Sequence, residues 1–138
     1  MPATSTINEQ VIEAVVSGPG AANRLFTCTG EVRPFMQVFA GSGQQVEKAE
    51  TWTFLVGPAL PQQFLRATAS VSLAGYGIFV TDPNTWHNLT FESVEADWDD
   101  ESGRTEVRVE VRIVGAGISF TLSKIGFSVT VLAELPGA

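Results

Sequence analysis

Residues 104–114 alternate without a break. Val107, Val109, Val111 and Ile113 fall on one side, and Glu106, Arg108, Glu110 and Arg112 on the other. A period of two built on β-branched residues predicts a strand buried on one face and wet on the other. Opposite charges alternate along the wet face, which predicts cross-strand ion pairs of small individual worth. Residues 126–135 alternate as well, with Phe127, Val129, Val131 and Ala133 against Ser128, Thr130 and Leu132. Their second face is mixed rather than charged, and a face so poor in polar groups is expected to be covered by something else. Further strand candidates lie at 25–32, 35–40, 46–56, 64–73, 77–81 and 87–98, separated by Gly, Pro and Asp turn signals at 33, 41, 57, 82, 99 and 115. The expected fold is all-β: an antiparallel β-sandwich of six to eight strands.

Residues 1–24 follow another rhythm. Thr6 and Glu9 have capping-box spacing, and Ile7, Val11, Ile12 and Val15 recur at helical intervals before the stop at 17–23. The expectation is a short N-terminal helix or arm over residues 1–24, available to a neighbouring molecule, followed by a single sandwich domain over 25–138.

Composition narrows the function more than it identifies it. A 138-residue chain with 44% apolar residues can bury a core without metals or disulfides. Fifteen acidic residues against eight basic ones give a net charge of −7, which disfavours nucleic acid and anionic membranes as partners. The lone cysteine, Cys28, has no second cysteine in the chain to pair with, and it lies in an apolar run where a small buried hydrophobe is the ordinary role. The first ten residues lack the basic-then-apolar order of a signal peptide, so a cytoplasmic or particle-associated protein is expected, with the compartment left open.

Candidate chemistry concentrates around the only histidine. Asp82, Asn84, Trp86, His87 and Asn88 bring an indole, an imidazole, two carboxamides and a carboxylate into one short segment. Such groups can stack on and hydrogen-bond a sugar, or they can form the turn into a strand. Nucleophile–base catalysis needs a histidine or lysine aimed at Ser, Cys or Thr, and His87, Lys48 and Lys124 are the whole supply. The expectation is a protein that is not an enzyme and takes no cofactor. Residues 95–103 contain Asp97, Asp99, Asp100 and Glu101, oxygen ligands of the kind calcium uses. Only the first two acids fit the EF-hand spacing, so a solvated hairpin loop is the first reading. No metal site is expected.

Residues 52–135 resemble H-type lectin domains. The resemblance is carried by strand patterning: Phe54; Ala69, Val71, Ser72 and Leu73; Asn88, Leu89, Val94 and Ala96; and Val129, Val131, Leu132 and Ala133. It implies an antiparallel sandwich that assembles as a trimer or a pair of trimers (a hexamer) and binds a glycan at subunit boundaries. Thr85-Trp86-His87-Asn88 is similar to the family's sugar motif, but it stands one or two strands earlier in the chain than that motif does. The functional expectation is a non-enzymatic, homo-oligomeric binding module, carbohydrate-binding in the lectin-like case. The alternative is a structural subunit of a larger particle, such as a phage or injection-device fibre, cap or decoration protein.

Overall fold

A computed structural model of the chain describes residues 5–18, 21–34, 36–41, 43–80 and 85–134. Eight strands come one after another: β1 (Thr6–Gly18), β2 (Ala21–Val32), β3 (Met36–Phe39), β4 (Gln45–Val56), β5 (Arg66–Val80), β6 (Trp86–Trp98), β7 (Thr105–Ala116) and β8 (Ile118–Glu134). All pairings are antiparallel. β8 runs through the middle of a five-stranded sheet, with β2 and β3 end to end along one edge, β5 along the other, and β1 outside β2. β7 is the centre of a three-stranded sheet between β4 and β6. The two sheets form the sandwich expected from the alternation.

The core is where the inward sides of these strands meet. β7 supplies Val107, Val109, Val111 and Ile113, β4 supplies Trp52, Phe54 and Val56, and β2 supplies Phe26, Cys28 and Val32, all buried. β8 supplies Ile118, Phe120 and Leu122, then Ile125, Phe127, Val129, Val131 and Ala133. The phase slips between Leu122 and Ile125. Across from the slip the β5 ladder is irregular too, with Leu73 opposite Ile125 and Tyr76 opposite Leu122. A bulge of this kind admits an extra residue and re-aims the side chains beyond it. Gly75 sits inside it, where a Cβ would lie 2.9 Å from Ser123 Oγ and 3.0 Å from Lys124 Cβ.

Three features of the strand plan differ from the sequence expectation. The two expected strands at 64–73 and 77–81 meet in one strand, β5 (Arg66–Val80), continuous through the Gly75 irregularity, with residue 81 outside the described residues. Residues 118–124, outside every strand expected from the sequence, are the first part of the last strand, β8. Thr6–Gly18 is a strand, not a helix. Val11, Ile12, Val15 and Val16 are β-branched, which lowers helix and raises strand preference, and β2 offers them a ladder. The capping-box pair does form its hydrogen bond, Thr6 Oγ1 to Glu9 Oε2 at 3.0 Å, but inside a β-bulge at Ile7–Gln10, where Asn8 takes a positive φ of 53°.

One group in the core lacks a partner. Thr105 is fully buried, and its hydroxyl makes no hydrogen bond among the described residues. A buried hydroxyl without a partner costs stability, and valine has nearly the same shape. Thr105→Val is therefore expected to raise unfolding stability by about 1–2 kcal/mol, read as a higher urea midpoint at unchanged slope.

Candidate functional site

The segment around the only histidine enters β6. Thr85 anchors it, its hydroxyl donating to the Ala116 carbonyl at 2.7 Å. Trp86, His87 and Asn88 are the first three residues of the strand and all are exposed. Strand alternation divides them. Trp86 lies opposite Ala116 and Asn88 opposite Val114, on the outer side of the three-stranded sheet. His87 lies opposite Gly115, in phase with Leu89, on the side that faces the other sheet. The structure thus brings Trp86, 45% exposed, and Asn88 onto one surface and turns His87 away from them. Asp82 and Asn84 lie outside the described residues.

The acidic hairpin between β6 and β7 is held by its own carboxylates. Asp99 accepts from Ser102 Oγ at 2.6 Å and from Ser102 N at 3.2 Å, and Asp97 accepts from Trp98 N at 2.8 Å. The Ser102 hydroxyl hydrogen bond holds the Asp99 carboxyl below the usual aspartate range. Among the described residues no group of three or more His, Cys, Asp or Glu side chains is placed to hold a metal ion.

A second polar cluster joins residues far apart in sequence. Glu9 Oε1 accepts from Gly57 N at 2.7 Å, Arg104 Nε donates to Gly57 O at 2.8 Å, and Arg104 lies 3.6 Å from Glu9 Oε2. Gly57 has a φ of 74°, and a Cβ there would stand 3.0 Å from the Phe26 ring and 3.1 Å from Cys28 Sγ. The cluster pins the start of β1 to the ends of β4 and β7. Beside it opens a cleft of about 410 Å³ lined by Thr6, Thr53, Leu55, Asp99, Arg104 and Glu106, among others.

The largest contrast is between the two outer faces of the sandwich. The three-stranded sheet presents Glu47, Glu92, Glu95, Asp97, Glu106 and Glu110 against Arg108 and Arg112. Arg112 bridges Glu47 at 3.1 Å and Glu92 at 2.8 Å, and Arg108 meets Glu110 at 2.9 Å. The five-stranded sheet presents rows of small hydroxyls instead: Thr29, Ser128 and Ser70 in one row, Thr27, Thr130 and Thr68 in the next. Thr27 and Thr130 hydrogen-bond each other at 3.1 Å. Leu25 and Leu132 continue this surface toward β1, whose Ile12 is 77% exposed and Val16 40%. The charges of the surface stand apart from the hydroxyl rows, Arg66 opposite Leu132 and Glu31 paired with Lys124 at 3.1 Å. The uncharged second face of the last strand, visible in the sequence, is the centre of this surface.

Comparison with protein-family models, with characterised proteins and with solved structures finds no match to this chain.

Cys28 lies in the core beneath this sheet, and burial pushes its thiol up to about 11. The thiolate is the reactive form. Alkylation of the native protein at pH 8 is expected to be slow and to proceed only through opening of the β-sandwich, with fast labelling in denaturant; mass spectrometry reads both rates.

Proposed function

We propose that the chain is a non-enzymatic β-sandwich module that works as a homo-oligomer, a structural subunit of a larger assembly joined through its five-stranded sheet. The observation that carries this reading is the contrast between the faces. A chain of net charge −7 that meets its own copies must keep carboxylates apart, and the hydroxyl and apolar surface of β1, β2, β8 and β5 is the broad surface with few of them. Charge depletion with retained apolar area is the compositional mark of a contact surface. Light scattering across a concentration series is expected to give a mass above that of the monomer. Thr130→Glu, at the middle of the hydroxyl rows, is expected to lower that mass, while Thr51→Glu, on the acidic face, leaves it unchanged. A monomer at every concentration would refute the reading.

A second reading is favoured by one observation. Trp86 is a large aromatic exposed on the same face as Asn88, the pairing that a carbohydrate-binding module of the H-type lectin pattern would use to stack on a sugar ring and hold its hydroxyls. Titration calorimetry with N-acetylgalactosamine and other common monosaccharides tests it. Trp86→Ala is expected to abolish the binding heat with the fold intact by circular dichroism, and no heat from any sugar with the parent chain removes the reading.

A further inference from the structure

The two sheets have different widths, and β1 is what is left over. The core is drawn from β2, β3 and β8 on one side and β4 and β7 on the other, with partly buried residues of β5 and β6, and among the described residues β1 adds none to it. Its start, Thr6 to Glu9, is fastened by the Glu9–Gly57–Arg104 cluster. Beyond the bulge every side chain from Gln10 to Ser17 is exposed, on both sides of the strand. Val11 and Val15, 45% and 61% exposed, are on the inward side, and Ile12, Ala14 and Val16 on the outward side. The far edge of β1 has no ladder partner among the described residues.

Such an edge is usually blunted. Lysine, proline, a bulge or a covering loop keeps a free strand from pairing with another chain. β5, the opposite edge of the sheet, has its ladder broken at Gly75, midway along the strand. β1 has its bulge only at the anchored start, and residues 10–18 contain no lysine, no proline and one charge, Glu13. That charge is already paired within its own chain: Arg24 Nε lies 2.5 Å from Glu13 Oε1, and this hydrogen bond holds the Glu13 carboxyl below the usual glutamate range.

We propose that two copies of the chain join edge to edge through residues 10–18 of β1, antiparallel about a two-fold axis at Ala14, so that the five-stranded sheets become one sheet across the dimer. The length of the regular stretch, residues 10–18, selects this register, and charge is compatible with it. An axis at Glu13 would oppose the two glutamates, and one at Val11 would set Glu9 against Glu13 of the second copy, both unfavourable. The axis at Ala14 uses all of the regular stretch, Gln10 against Gly18. It places Glu13 opposite the second copy's Val15, in the same cross-strand row as that copy's Arg24, and Ile12 opposite the second copy's Val16. On the outward side Ile12, Ala14 and Val16 then pack against their symmetry mates, on the inward side Val11 lies against Ser17 and Val15 against Glu13, and the unpaired edge amides gain partners.

This inference rests on the homo-oligomer reading and adds to the sheet-face contact tested at Thr130 a second, separate contact at the β1 edge. Sedimentation equilibrium of the full chain is compared with that of Ala14→Lys, which sets two ammonium groups against each other at the axis, and of Thr130→Lys on the sheet face. The expected result is a dimer dissociation constant at least about tenfold weaker for Ala14→Lys, with an unchanged monomer circular dichroism spectrum. Ala14→Cys gives the second readout: a disulfide-linked dimer under mild oxidant, made by a residue that is exposed in the monomer and so does not disturb folding. If the parent chain associates, Ala14→Lys leaves that association intact and Thr130→Lys abolishes it, the edge assignment is wrong and the oligomer reading stands. If the parent chain is a monomer throughout, both fall.

Discussion

The constraint on which the rest depends is unequal width: a sheet of five strands, two of them sharing one edge of β8, is covered by a sheet of only three. Hydrophobic burial closes the sandwich where the sheets overlap and can do nothing beyond it. Inside the overlap the core side chains of β2, β4, β7 and β8, such as Phe26, Trp52, Val109 and Val129, are buried to within a few per cent of complete. Outside it, β1 is held at its start by polar contacts and along its length by one ladder. The exposed valines and isoleucine of β1 are therefore a geometric consequence of the strand count, not an accident of composition.

Charge is distributed to match. The narrow sheet turns a wet face outward, carrying carboxylates that two arginines only partly offset. The wide sheet turns out threonine and serine, and its central ladder satisfies some of those hydroxyls internally. A surface of this second kind has a small desolvation cost, because few of its groups carry a full charge. The two faces of one small domain thus differ in what it costs to take them out of water.

How much of this was legible in the sequence depends on what alternation can express. β7 was plain, because every second residue is apolar and every other one charged. β8 was half visible: its bulge at Ser123–Lys124 breaks the period, so only the part after it read as a strand. β5 was split for the same reason at Gly75. β1 was misread because a strand with apolar residues on both faces, Val11 and Val15 on one and Ile12 and Val16 on the other, produces the same spacings as a helix. At the rim, Trp86 and His87 looked like one cluster because they are adjacent, yet adjacency within a strand places them on opposite faces. The Glu9–Gly57–Arg104 cluster left no local trace, since its members are brought together only by the closed sandwich.

A single residue separates the central strands of the two sheets. β7 ends at Ala116, β8 begins at Ile118, and Gly117 turns the corner with a φ of 64°. Beside it, Gly115 gives way to Ile118, whose Cδ1 would stand 2.7 Å from an added Cβ. Most pairings in this fold span long stretches of chain, which slows the search for them. The β1–β2 and β6–β7 hairpins are the local pairings, and the corner adds a third short connection, one that brings the middle of one sheet against the middle of the other at almost no cost in loop entropy. By loop entropy alone, β6, β7 and β8 are the stretch of chain that reaches both sheets most cheaply, while the β4–β7, β5–β8 and β2–β8 ladders each close a long loop.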